Sequence, residues 1–233
     1  MTTVACLAYY AEQPAHLEKC VGSLHGLADV LLAWEGRWEK FPAVPGNDPG
    51  AQVAAVELAA AGAMLVCHAQ GTWPSQVAKR AQLMEEAACM GDWLFVIDAD
   101  EWVMAEHTDL GQLHLALGAA EADVAEVMIH RHPLDASTRP RPVRRLYRAS
   151  TRPTVRTAHN GYVTADDRFL HGDPGWVQLE PALDLSGLLA IGHDVLCRSA
   201  ARRTARHDYL YTRRRERFES WVAEKGHKEA ARA

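Results

Sequence analysis

The chain has 233 residues, 48% hydrophobic and 24% charged, a globular composition with apolar material for one sizeable core, which excludes a disordered polymer. A net charge of -5 argues against coating nucleic acid or anionic membrane through the overall field, although a local basic face stays open, so a specific site must carry the function. Five cysteines, odd in number and without CxxC spacing, exclude a disulfide framework or zinc knuckle and read as reduced core residues; no leader-like start or membrane-length apolar run is present, which predicts a cytoplasmic protein.

In chain order, "TVACLAYY" predicts a first strand, and Pro14 then opens a helix with Leu17, Cys20, Val21 and Leu24 at helical spacing, ended by Gly26. "DVLLAW" is a second strand, "EGRWEKFPAVPGNDPG" a Pro/Gly-rich loop, residues 51–61 an alanine-rich helix and "AMLVCH" a third strand. Thr72 and Pro74 mark the next helix start, with Val77, Ala81, Met84 and Ala88 along one face until Gly91. Trp93 to Ile97 forms the fourth strand. This alternation predicts an α/β fold with a mostly parallel sheet flanked by helices, and in such sheets ligands bind beyond the carboxyl ends of the strands. Tyr9 to Glu12, Glu35 to Arg37, His68 to Trp73 and Asp98 to Glu101 therefore share one rim.

After residue 103 the alternation weakens into a mixed part. Residues 108–118 read as a helix, "DVAEVMIHRH" and "RPVRRLYRAS" as antiparallel strands, and "LSGLLAIGHDV" as another strand. Ser199 to about Glu224 reads as a helix carrying Arg202, Arg206, Arg213 and Arg217 on one face, solvated and laced with ion pairs to Glu216, Glu219 and Glu224. The organisation expected is one continuous domain in two parts, 1–103 and 104–233.

The most informative stretch is "GDWLFVIDADEWV", where a buried strand runs directly into Asp98, Asp100 and Glu101. In an extended backbone Asp98 and Asp100 would point the same way, and two carboxylates on one side call for a cation. Hard oxygen ligands suit Mg²⁺ or Mn²⁺, which take only one or two protein carboxylates and complete their shell with water and phosphate oxygens. The plain alternative is that these acids cap the turn after the strand.

This segment resembles the D-x-D region of family 2 glycosyltransferases, nucleotide-sugar enzymes of the GT-A fold. "LAYYAEQPAHLEKCVGSLHGLADVLLAWEG" resembles the first strand, helix and second strand of that family. "VAKRAQLMEEAACMGDW" resembles the helix before the D-x-D, and "RRLYR" with "IGHD" resembles elements of one bacterial branch. The resemblance spans about residues 4–215 and is strongest in the first hundred.

It implies that Asp100 binds the metal and that Asp98 contacts the donor ribose, or the metal through water. Tyr9 belongs to the donor side, Glu12 and Glu35 match positions that receive the base, and His193 matches a third metal ligand. Where the family has Asp-x-Gly-Ser-x-Asp, this chain has "WEGRWEKFP"; uridine is the expected base, because a carboxylate accepts its ring N–H. Arg80 and, more weakly, Lys79 match positions near the diphosphate, with a solvated helix face as the alternative. Arg144, Arg145 and Arg148 suit phosphate contact or an exposed strand equally. His159 resembles a family His, followed here by Asn160 in place of Glu. His130 and His132 alternate on one strand face and read as ordinary polar residues.

The implied reaction is sugar transfer, of inverting type, from a UDP-sugar to the hydroxyl of a glycan, lipid-linked sugar, protein or modified nucleic acid. The acceptor base would come from the second part, among Asp166, Asp167, Asp173, Glu180 and Asp184, with Asp167 favoured and Asp166 next. A metal-dependent phosphohydrolase or nucleotidyltransferase, and a noncatalytic nucleotide-sugar-binding module, are the competing readings.

Overall fold

A computed structural model describes residues 1–131, 139–157, 161–171, 179–194 and 198–230. Strands β1 (Thr3–Tyr9), β2 (Val30–Glu35), β3 (Leu65–Gln70) and β4 (Trp93–Ile97) run parallel in the order β3-β2-β1-β4. They alternate with helices α1 (Pro14–Gly22), α2 (Pro49–Ala60) and α3 (Gln76–Ala87), as the sequence predicts. Every residue of β2 and β4 is buried, which is why these strands read as unbroken apolar runs: helices cover both faces of the sheet.

Helix starts follow local chemistry. Asp48 accepts a hydrogen bond from the Ala51 amide at 3.0 Å ahead of α2, and Ser75 accepts one from Ala78 at 3.0 Å ahead of α3. The third helix thus begins slightly later than Thr72 and Pro74 suggest.

The second part of the chain extends the same sheet. Strands β5 (Glu101–Val103), β6 (Val124–Arg131), β7 (Arg141–Arg148), β11 (Ala182–Asp184) and β12 (Ala190–His193) complete nine strands, in the order β3-β2-β1-β4-β7-β6-β12-β5 with β11 beside β6. β7 is antiparallel to β6, as predicted, and also to β4, while β12 is parallel to β6 but antiparallel to β5. Helix α4 (Leu110–Ala119) covers this region, while β8 (Thr154–Thr157), β9 (Gly161–Val163) and β10 (Phe169–His171) form a separate three-stranded antiparallel sheet. A 31-residue helix, α5 (Ala200–Ala230), ends the chain. Among the described residues no helix is long and apolar enough to cross a membrane.

Period-2 alternation divides the core. Ala5, Leu7 and Tyr9 of β1 pack towards α1 and α2 with Leu17, Val21 and Val56, while Val4 and Cys6 pack towards α3 with Leu83 and Met84. Cys6 and Cys20 are buried, as expected of core residues; Cys67 is half-buried, Cys89 is exposed, and Cys197 lies outside the described residues.

The strand order reverses beside β1: the chain builds outward to β2 and β3, then returns to place β4 on the other side. The carboxyl ends of β1 and β4 consequently lie side by side, with α1 following β1 and a turn following β4, and a crevice opens there.

Candidate functional site: an acid and arginine cleft

A cleft of about 230 Å³ opens at that reversal. Its floor is the end of β1, from Ala8 through Tyr10 to Glu12, and the end of β4, from Asp98 to Asp100; Gln76, Lys79 and Arg80 of α3 flank it. Arg198 and the first turns of α5, with Arg202, Arg206, Tyr209 and Leu210, close the far side.

The D-x-D is not extended. β4 stops at Ile97, and the Glu101 amide donates to the Asp98 carbonyl at 2.9 Å, so residues 98–101 form a turn. Both aspartates still line the cleft, because the turn rather than strand pleating aims them. The plain alternative, capping this turn, belongs instead to Glu101: its Oε2 accepts from the Asp98 amide at 3.0 Å. Glu101 is 2% exposed, pairs with Arg145 of β7, and lies beneath the rim rather than on it. Burial raises its pKa to about 7 against the pull of Arg145.

Asp98 pairs with Arg80, and Arg145 approaches its Oδ2 at 3.8 Å. Burial alone would raise its pKa, but Arg80, Arg145 and Arg198 hold it well below the usual carboxylate range. Asp100 is held from the opposite side. Its Oδ2 lies 2.6 Å from Arg198 Nη2 and 3.5 Å from His193 Nε2, in contacts that give that oxygen no well-aligned hydrogen bond. Against burial, the nearby His193 imidazole and Arg198 also lower the Asp100 pKa, and Asp100 in turn raises that of His193 against burial. β12 delivers His193 directly opposite Glu101 of β5, so the pairing of two short strands puts the imidazole beside the D-x-D turn.

Other expected donor residues divide into those the fold brings to the cleft and those it does not. Glu12 lines it, 6% exposed and paired with Arg202, its pKa raised to about 7 by burial despite that guanidinium. Tyr9 borders the cleft, but its ring belongs to the core layer under α1 and α2. Glu35, in register with Tyr9 on β2, is 5% exposed and does not line the cleft. Burial raises its pKa while Lys79 opposes.

Lys79, a weaker donor-side candidate, lines the cleft and is not on a solvated helix face, its alternative reading. It is 2% exposed, and its Nζ donates to the Tyr9 carbonyl at 2.8 Å and the Gly36 carbonyl at 2.7 Å. Nζ also stands 4.5 Å from the Trp73 ring centre, so Lys79 ties β1 to the loop after β2. Burial, reinforced by Arg80 and Arg202 and opposed by Glu35, lowers its pKa to about 7. Gly36 needs its φ of +124°, and a Cβ there would lie 1.9 Å from the Gly71 carbonyl oxygen; no other residue closes this loop.

The loop that departs from the family pattern builds an aromatic wall. Trp38 and Phe41 pack with ring centres 4.6 Å apart, Tyr209 of α5 lies 5.4 Å from Phe41, and Tyr10 meets Phe41 edge-on at 5.8 Å. All four line the cleft. Composition alone suggested only a Pro/Gly-rich loop; the signal that could have found the wall was Trp38 and Phe41 at a spacing of three within it.

The three arginines of "RRLYR" separate by strand alternation. Arg145 points to the D-x-D; Arg144 binds Glu126 and the Leu170 carbonyl, and Arg148 caps the Ala120 and Ala122 carbonyls over Trp93. At the far end of the chain, the solvated-helix reading holds for the exposed Arg215–Glu219 pair but fails for Arg202, whose side chain is 13% exposed. Sequence reading missed Arg198 and Arg202 as site residues, since nothing local says that the start of α5 packs on the segments that follow β1 and β2.

Asp166 and Asp167 are not brought to the cleft. They occupy the exposed turn between β9 and β10, Asp166 paired with Arg168 and Asp167 with Arg156. Glu180 pairs with Arg168, and Asp184 accepts from the Ser186 amide. His130 stacks on His107. Asp173, His132, His159 and Asn160 lie outside the described residues. Among the described residues the carboxylates lining the cleft are Glu12, Asp98 and Asp100, and no three His, Cys, Asp or Glu side chains converge as a ready-made metal cage.

No protein-family model matches the sequence, and a search of curated proteins finds no match. Among solved structures, the chain is similar to a crystal structure of S. aureus TarS 1-349, with 11% identity, 65% of this chain and 48% of that chain covered and a TM-score of 0.44. The same protein in complex with UDP-GlcNAc gives 11% identity, coverage of 65% and 46% and a TM-score of 0.44. A longer TarS structure gives 11% identity, coverage of 65% and 29% and a TM-score of 0.41. The chain thus spans less than half the length of these structures, and a functional reading has to stand on the cleft itself.

Proposed function

We propose that this protein is a GT-A-type glycosyltransferase that uses a nucleotide-diphosphate sugar, UDP-linked, with Mn²⁺ or Mg²⁺. The observation that carries this reading is the pairing, at the point where the strand order reverses, of two cleft-facing aspartates with guanidinium groups on both sides. A diphosphate carries the charge that guanidinium groups recognise, and its bound cation wants one or two carboxylates from the protein.

The residues fit that cation. Asp100 presents a buried Oδ2 without a well-aligned hydrogen bond, with the His193 imidazole beside it, a hard oxygen and nitrogen donor set suited to Mn²⁺ or Mg²⁺. When bound, the cation supplies charge stabilisation at the leaving nucleoside diphosphate. Asp98, fixed by Arg80 and Arg145, serves as an oriented acceptor for a donor hydroxyl or a metal-bound water. Glu12 and the wall of Tyr10, Trp38 and Phe41 offer an acceptor group and flat apolar surface to a nucleobase. An acceptor hydroxyl would enter from the open side, and inversion is the expected stereochemistry.

Isothermal titration calorimetry tests this reading. UDP is expected to bind with Mn²⁺ and to lose at least about tenfold in affinity in Asp100→Ala, one charged contact being worth that much. Intact-mass detection of a glycosylated acceptor establishes turnover. Failure of every nucleoside diphosphate to bind would sink the reading, and rapid hydrolysis of free nucleotides would transfer it to the phosphohydrolases.

A further inference from the structure

Arg202 and Arg206 stand one turn apart at the start of α5, Arg198 lies two residues ahead of it, and all three line the cleft in a row. Each stands differently. Arg198 rests on Asp100 and Arg202 on Glu12, while Arg206 at the mouth has no ion pair among the described residues. With Arg80, four guanidinium groups line the cleft against the three carboxylates Glu12, Asp98 and Asp100, leaving an excess of positive charge.

The donors are also under-used. Nε of Arg198 and Nε of Arg202 are buried without a hydrogen-bond partner among the described residues, although a guanidinium offers five N–H groups in a fixed fork. Buried donors left open at the wall of a cleft mark the place where an acceptor-rich ligand is missing. Burial lowers the pKa of Arg202 against the pull of Glu12, and repulsion from Arg198 adds to the lowering.

We propose that this row is an anion grip for the diphosphate group, parked on the carboxylates of Asp100 and Glu12 until that anion arrives. When a diphosphate enters, Arg198 and Arg202 exchange the carboxylates of Asp100 and Glu12 for phosphate oxygens, and Arg206 gains its first partner. The exchange uncovers Asp100 for the cation, so diphosphate and cation bind with positive coupling while cation alone competes with Arg198. The coupling to the cation rests on the function proposed above; the anion grip does not.

Calorimetry of the full chain with inorganic pyrophosphate, without metal, tests the grip directly, and titration of Mn²⁺ alone followed by electron paramagnetic resonance tests the exchange. Pyrophosphate is expected to bind the wild type and to weaken about tenfold in Arg206→Gln, a substitution at the exposed mouth that leaves the melting temperature unchanged, with recovery in Arg206→Lys. Arg198→Gln is expected to weaken pyrophosphate and, in the opposite direction, to tighten Mn²⁺ several-fold. Pyrophosphate that fails to bind, or that binds Arg206→Gln and Arg198→Gln as it binds the wild type, overturns the proposal, as does an Mn²⁺ affinity indifferent to Arg198→Gln. Pyrophosphate binding without affinity for any nucleoside diphosphate would uphold the grip and defeat the glycosyltransferase reading. UDP binding with Mn²⁺ that ignores both substitutions would do the reverse.

Discussion

Asp98 and Asp100 stand two residues apart and are held by different regions of the molecule. Asp98 is clamped from inside the fold by Arg80 of α3 and, more distantly, by Arg145, which a central strand of the sheet carries and which is itself tied to buried Glu101. Asp100 is held from the periphery, by His193 on a four-residue strand and by Arg198 just ahead of α5. The inner clamp cannot open without exposing charge in the core. The outer one can let go where a cation takes the arginine's place on Asp100, which is 3% exposed, and an anion takes the place of Asp100 on the arginine. A cleft built this way has one aspartate fixed as a reference and the other available for exchange.

Breaking the inner clamp should have the largest effect. Arg145→Ala leaves Glu101 buried and uncompensated, and is expected to cost about 3–5 kcal/mol in urea unfolding. Arg145→Met, which keeps the packing, should lose nearly as much unless Glu101→Gln accompanies it. Recovery in that double variant would identify the unpaired charge as the cause.

Lys79 gives a second, pH-dependent contrast. Its folded pKa, about 7, lies below its ordinary value of 10.5, so the unfolded chain binds more protons between these limits and the contribution of Lys79 to stability rises with pH across that window. A neutral amine still donates to the Tyr9 and Gly36 carbonyls, which is why losing the charge costs nothing there. Unfolding measured from pH 7 to 10 should show the wild type gaining stability relative to Lys79→Met; a constant difference would mean that the ammonium is retained. The smallest effect belongs to the outer region: Arg206→Ala should leave stability within about 0.5 kcal/mol of the wild type, a surface change whose consequence is confined to binding.

Much of this was legible because it is local. Trp93 to Ile97 reads as a buried strand because five apolar residues in a row suit only a position covered on both faces. That the acids after it face a cleft follows from the chemistry of parallel sheets, even though the turn that aims them was read as an extended strand. Lys79 and Arg145 were ambiguous for a physical reason: a charged residue on a helix or strand looks the same whether its face meets water or a buried carboxylate. Asp166 and Asp167 illustrate the opposite error, since two carboxylates of suitable type turned out to sit on an exposed hairpin with arginine partners of their own.

Sequence by itself determined the α/β order, the strands that end in acids and the residue types able to hold a cation and a diphosphate, because hydrophobic period and turn chemistry act over a few residues. Tertiary structure alone decided which arginines meet which carboxylates. Arg198 and Asp100 are separated by nearly a hundred positions, and their meeting depends on β4 crossing to the far side of β1, on β12 pairing with β5, and on the start of α5 packing against the segments after β1 and β2. Such long-range closure follows from the burial of whole faces, and no local pattern encodes it.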